Sequence, residues 1–246
     1  MGTTLYGIPP SHPSHAARLM VERKGLDYKM VWLLPGIHFI LIRTRGFRGG
    51  TVPALKLDGR KFQDSVAISR ALEQAKPDPP LFPADPHLRM RVEDAERWGE
   101  ERLQPLPRLL TRWMAVHRPD ARLLLAKDAG VPLPSVASWL NSPVARHLAR
   151  NVDADGRLEE TIADVPKVLD QVDELIAEGV IGGDQPNAAD YQILTSVQAL
   201  LSIGDLDVAT QGRPSARAAK RVIPAFGPDF PAGLLPAESL RATARS

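Results

Sequence analysis

The residues of this 246-residue chain best suited to chemistry stand at two helix starts. Ser11 and Ser14, in the run Ser11-His12-Pro13-Ser14, follow a strand-like segment and open a helical one. Ser11 therefore falls beside unpaired N–H groups and the positive pole of a helix, where a small anion such as a thiolate is stabilised. Asp64 and Ser65 open a second helical pattern. There a hydroxyl and first-turn N–H groups can hold a carboxylate while Asp64 attracts an ammonium. The same residues would also serve as plain helix caps, and their types alone leave both readings open. The chain has no cysteine, which removes disulfides, thiolate metal sites and cysteine nucleophiles together. If sulfur chemistry occurs here, the substrate brings the sulfur.

Two metal-like patterns are set aside. His12 and His15 have the spacing of a ligand pair, but no third or fourth ligand joins them, so surface positions in a first helical turn are expected. Asp153-Ala154-Asp155-Gly156 resembles the start of a calcium loop, yet its glycine arrives too early and the terminal ligand is misplaced. No metal site is expected.

The elements that must position these residues are legible in outline. Thr3 to Gly7 reads as a buried strand, Pro13 to Lys24 as a helix with Gly25 past its end, and Tyr28 to Leu33 as a second strand. The connection is long enough for a parallel crossover. Residues 36–49 are irregular with room for one short helix. Val52 to Gln63 is a hairpin, because Asp58-Gly59 supplies the positive φ angles of a tight turn. A third helix starts at Asp64 or Ser65, its apolar stripe formed by Ile68, Ala71, Leu72 and Ala75.

Prolines at 77, 79, 80, 83 and 86 remove too many donors for helix or sheet, which makes residues 76–86 a linker. Helical patterns follow over 87–117, 134–149, 158–178, 188–203 and 214–222, with Asn187 and Asp190 as a capping-box pair. The proline-rich tail from Pro224 is expected to lie extended on the surface. The domain division is 1–75, linker 76–86, helical 87–223 and tail 224–246.

Composition excludes several classes. With 43% hydrophobic and 24% charged residues the chain reads as soluble and folded. Basic residues number 31 against 29 acidic ones, spread along the chain, which argues against a nucleic-acid partner despite a pI near 9.0. The most apolar stretch, Val31 to Ile42, is too short for a bilayer span and is broken by Pro35 and Gly36, so no membrane partner is expected. The opening residues MGTTLYGIPP lack a basic n-region and a long apolar run, and cytoplasmic residence is the default expectation.

The order and spacing of SHPS after the first strand, TVPAL opening the hairpin and QDS at the third helix resemble the glutathione transferases, above all the serine-type, theta-like and bacterial classes. NAADYQILTSVQALL looks like the capped, buried helix of that family's second domain. The resemblance implies an α/β plus all-α architecture: a thioredoxin-like N-terminal βαβ-α-ββα domain followed by an all-helical C-terminal domain.

What the resemblance implies for the site follows position by position. Ser11 would donate a hydrogen bond to the sulfur of glutathione, bonding to the charged form being what lowers a thiol pKa. Ser14 and Tyr6 are the alternates. Pro53 would be a cis-proline that frees the backbone of Val52 for the cysteinyl part of the tripeptide. Asp64 and Ser65 would take the γ-glutamyl end, while His38, Arg43, Arg45 and Arg48 are the candidates for the glycine carboxylate. His12, Trp113, Met114 and His117 are candidates for the second-substrate pocket between the domains, with core packing the competing role for Trp113 and Met114. A homodimer and glutathione, or another small thiol, as co-substrate are expected. The leading function is thiol addition to an electrophilic carbon; the alternatives are a non-catalytic binding protein of the same fold and a thiol-dependent isomerase.

Overall fold

The computed structural model describes residues 2–243. Thr3–Gly7 forms β1, the second strand of a four-stranded sheet ordered β2-β1-β3-β4. Leu5, fully buried, pairs with Met30 of the parallel strand β2 (Tyr28–Trp32) and with Leu55 of the antiparallel β3 (Ala54–Leu57). β3 turns into β4 (Arg60–Gln63) through Asp58 and Gly59, both at positive φ (48° and 85°), which the hairpin twist requires.

Three helices join these strands: α1 (His12–Arg23), the short α2 (His38–Thr44) and α3 (Ser65–Ala75). Gly7 is needed where β1 meets α1, since a Cβ there would lie 2.8 Å from the Cβ of Ser14. The element order is that of a thioredoxin-like βαβ-α-ββα unit.

After Ala75 the regular elements among the described residues are helices, apart from one isolated bridge. The segment 76–86 is pinned by Lys24, whose fully buried ammonium donates to Glu73, to Pro77 O (3.1 Å) and to Pro79 O (2.7 Å). The expected helix over 87–117 is interrupted: α4 (Pro86–Trp98) passes through a π turn, Gly99–Leu103, into α5 (Pro105–His117). Pro105 and Pro107 have no N–H to return to the preceding turn, so the regular ladder cannot run through.

A helix that the sequence reading missed, α6 (Pro119–Asp128), follows; its apolar residues run consecutively rather than as a stripe. The expected 134–149 helix divides at Asn141 into α7 (Pro134–Leu140) and α8 (Ser142–Arg150). α9 (Leu158–Ala177) and α10 (Ala188–Leu201) complete the core. α10 is buried through most of its length, and Ala16 and Ala17 of α1 are small enough to pack close against it. Its capping box is present: Asp190 N donates to Asn187 Oδ1 (3.1 Å) and Asn187 N to Asp190 Oδ2 (2.9 Å).

Beyond α10 come the short α11 (Asp207–Thr210), α12 (Pro214–Val222) and α13 (Ala237–Thr243). The tail corrects the sequence reading, for it is docked rather than lying on the surface. Phe230 exchanges backbone hydrogen bonds with Ser202 and Gly204 (2.7 and 2.8 Å), and Phe230, Leu234 and Leu235 are buried. Each such side chain contributes roughly 1.5–3 kcal/mol of burial. Asp205 accepts from the N–H groups of Gly233, Leu234 and Leu235 at 2.6–2.9 Å. Partners so distant in sequence leave no local pattern.

Among the described residues no helix is long and apolar enough to cross a membrane.

Candidate functional site

A cavity of about 480 Å³ lies between the sheet unit and the helices, and Ser11, Val52, Pro53, Asp64 and Ser65 all line it. Each is held there by its element. Ser11 is the N-cap of α1, its Oγ accepting from Ser14 N (3.3 Å), which leaves the O–H to be donated elsewhere. The Val52–Pro53 bond is cis, and Val52 precedes the ladder that begins at Ala54. Asp64 caps α3, its carboxylate accepting from Ala67 N (2.7 Å), with its own backbone at φ 68°. Ser65 is only 2% exposed, and its Oγ has no hydrogen-bond partner in the protein. A buried, unsatisfied hydroxyl costs about 1–3 kcal/mol, so on a cavity it is a place where a water or a ligand atom can complete the bonding.

The alternates to Ser11 are elsewhere. Ser14 is fully buried against Gly7, accepting from Ile8 N at 3.4 Å, and does not line the cavity. Tyr6 packs edge-on against Phe47 (centroids 5.7 Å) with Arg45 over its ring, also off the cavity.

The two histidines set aside as surface residues are buried. His12 lines the cavity, and its Nδ1 lies 3.0 Å from Ser196 Oγ. Ser196 gives its own proton to Gln192 O, so the imidazole is the donor in the first of these bonds. Burial holds His12 well below the usual histidine range, helped by Arg108 and then His15. His15 sits between Trp32 and Phe226 and donates from Nε2 to Pro9 O (2.7 Å).

His38, at the start of α2, is on the cavity; burial and the neighbouring charge of Arg112 lower its pKa, and its Nδ1 is buried without a partner. Arg43, Arg45 and Arg48 do not line the cavity.

The predicted second-substrate residues need correction. Trp113 and Met114 are buried in the core, and His117 stacks on Trp113 (4.5 Å) with its Nε2 2.7 Å from Asp155; none of the three lines the cavity. The other face of α5 does, presenting Gln104, Arg108, Thr111 and Arg112. The signal was in the sequence as Gln104, just before the helix, and Arg108 and Arg112 on it, at four-residue spacing among mostly apolar residues. The aromatic face drew the assignment instead.

Two further contributors were not foreseen. Glu100, carried in by the π turn, joins Asp64 on the cavity, its pKa raised by burial and then by Asp64. Phe226, Gly227, Pro228 and Phe230 of the tail complete the lining. The cavity therefore has an acidic end at Asp64 and Glu100, a serine at a helix N-terminus, and a basic stretch along α5.

Comparison with known proteins agrees with this fold. Residues 5–80 match the family model "Glutathione S-transferase, N-terminal domain". The protein named "Probable maleylacetoacetate isomerase 1" from Drosophila melanogaster is 42% identical over 107 residues, covering 42% of this chain and 44% of that one. The chain spans half or less of the length of the curated relatives it matches. Two solved structures share the fold at low identity. One is the β-etherase LigF from Sphingobium sp. strain SYK-6, with a TM-score of 0.54, 18% identity, and 90% of this chain and 99% of that one covered. The other is a maleylacetoacetate isomerase from Anaeromyxobacter dehalogenans with bound glutathione, with a TM-score of 0.53, 20% identity and coverages of 90% and 89%.

Proposed function

We propose that this chain, a member of the glutathione transferase superfamily by its N-terminal domain and its fold, binds glutathione in the cavity and activates its thiol against Ser11. The observation that carries the reading is the Ser65 hydroxyl, buried and without a protein partner on the same cavity as Ser11. The γ-glutamyl carboxylate takes the Ser65 hydroxyl and the first-turn N–H groups of α3, and the ammonium lies between Asp64 and Glu100. The cysteinyl segment then runs past Val52, bringing its sulfur to the N-terminus of α1.

There Ser11 donates its hydroxyl proton as a hydrogen bond to the thiolate, and the helix pole adds to the effect. The serine stays neutral; the thiol proton leaves to solvent. The thiolate attacks an electrophilic carbon, forming an S–C bond as the leaving group departs with its electron pair.

A second reading is supported by the relatives named maleylacetoacetate isomerase. In it the same thiolate adds reversibly to a conjugated double bond, rotation follows about the new single bond, and expulsion of the thiolate returns it unchanged. Both readings use Ser11 and the same thiol site.

Calorimetric titration with glutathione, with ultraviolet absorbance following the bound thiolate, is the test. Saturable binding with thiolate formation at neutral pH is expected. No binding of glutathione or any other small thiol at millimolar concentration would sink the proposal, and binding of a different thiol alone would move the co-substrate.

A further inference from the structure

Three arginines line the cavity, and they are not equivalent. Arg122 is spent on structure, donating to Ala115 O (2.7 Å), Ser138 O (3.0 Å) and Val116 O (3.4 Å). Arg108 and Arg112, one turn apart on α5, are not. Arg108 donates to the neutral amide oxygen of Gln104, and Arg112 reaches only Leu148 O at 3.4 Å. Among the described residues neither has a carboxylate within 4.0 Å, although both are partly buried.

Burial, and then the charge of Arg108, bring Arg112 down to about 10. Glu100 acts on Arg108 at longer range, and it belongs with Asp64 to the ammonium end. Uncompensated buried charge is costly, and the fork of a guanidinium matches a carboxylate in geometry.

The location narrows the ligand. Arg108 is close enough to His12 to act on its titration, and Arg112 does the same to His38, so the pair spans the space between the Ser11 end and α2. The same cavity also has apolar lining, Leu125, Val144, Leu148 and Phe226 among it. We propose that Arg108 and Arg112 bind a carboxylate on the second substrate, so that this site selects small electrophiles that carry an anionic group on an aromatic or short aliphatic body. The inference rests on the reading of the cavity as a thiol site with room for an electrophile. A carboxylate of the thiol itself is the other source of the same chemistry.

The two sources separate by experiment. With glutathione as thiol, 4-(chloromethyl)benzoate and its methyl ester are compared as electrophiles; sulfur displaces chloride in each. The expected result is a kcat/KM higher for the acid by about tenfold or more, the scale of a charge-assisted hydrogen bond. Arg112→Gln and Arg108→Gln should abolish that preference with the KM for glutathione unchanged, and Arg112→Lys should restore part of it.

Binding of the unreactive 4-methylbenzoate, measured by calorimetry without thiol, gives a readout that survives failure of the thiol reading. The acid should bind the wild type and lose about tenfold or more in Arg112→Gln, whose circular dichroism reports folding. Equal kinetics for acid and ester, a loss confined to the KM for glutathione, or 4-methylbenzoate binding indifferent to both arginines would each overturn the proposal.

Discussion

The ring of His15 stacks on that of Phe226, with centroids 4.2 Å apart and planes 19° from parallel. The contact joins the first turn of α1, one turn beyond Ser11, to the tail that lines the cavity. Its buried place disfavours the charged imidazole, and burial brings His15 down to about 4, against the opposing effect of its bond to Pro9. Arg18 lowers it further and Glu22 raises it.

A pH dependence of stability follows. In the unfolded chain His15 takes up its proton near the usual value of about 6.5, while the folded protein binds it only near 4. Between those values the unfolded state holds more protons, so this residue's contribution is complete above the upper value and is lost as pH falls through the window. The slope is about 1.4 kcal/mol per pH unit, for a total of roughly 3 kcal/mol. His12 acts in the same direction. Glu96, raised to about 7, and Asp190, raised to about 6, act in the opposite one, since burial favours their protonated forms. The informative quantity is therefore a difference: urea unfolding at about pH 4.5 and about pH 7.5 should show a smaller acid loss in His15→Phe than in the wild type. Equal losses in the two proteins would refute the assignment.

Ser11→Ala separates chemistry from capping. The cap bond to Ser14 N is lost, which should cost about 1 kcal/mol of stability. The bound thiol should lose its hydrogen-bond donor, and its pKa should rise by roughly one unit for each 1.4 kcal/mol of donated stabilisation. Thiolate absorbance against pH, taken on the saturated complex, gives the second number independently of the first. A bound-thiol pKa unmoved by the substitution would remove Ser11 from the chemistry and leave it a cap.

Ser65→Ala should act in two opposite directions. Its hydroxyl is buried without a partner, so deleting it removes an unsatisfied group and should leave the free protein as stable as before, or more so by up to about 1–2 kcal/mol. The same change should weaken glutathione binding by about tenfold, as the carboxylate loses a donor. Thermal unfolding with and without ligand reads both effects. A variant that is less stable when free and binds as tightly as the wild type would make Ser65 a structural residue.

The sheet unit was legible because its signals are local: the Asp58-Gly59 turn, the cap at Asp64 and the alternation of short strands each act within a few residues. Ser11, Asp64 and Ser65 were legible for the same reason, since a helix start is a sequence pattern and a chemical environment at once. The electrophile end was not. Which face of α5 meets the cavity depends on the π turn, and that turn depends on Gly99 approaching α10, where a Cβ would come within 2.9 Å of Ile193. The four-residue spacing of Gln104, Arg108 and Arg112 marks a polar face, but nothing local to α5 says what that face meets, since Gly99 and Ile193 are more than ninety residues apart in sequence. His12 and His15 were misjudged likewise, polar residues in a first turn being buried here by α10 and by the tail.

The tail gives a last test, because its attachment and its role at the cavity are separable. Asp205 takes three successive N–H groups, at Gly233, Leu234 and Leu235, while Phe226, Gly227, Pro228 and Phe230 line the cavity earlier in the tail. Asp205→Ala strips all three donors of their acceptor at once, and water can replace it only if the segment lifts. Loss of hydrogen bonds to a charged acceptor costs about 1.5–3 kcal/mol each when no substitute forms, enough to release the segment without unfolding α1 to α10. Limited proteolysis should then cut the tail faster by at least about tenfold. In the kinetics the KM for the electrophile should rise while glutathione affinity stays as it was, because Ser11, Asp64 and Ser65 are held by α1 and α3. If both affinities fall together, the tail supports the whole site rather than one side of it; if neither moves while proteolysis quickens, Phe226 and Phe230 line the cavity without serving the electrophile.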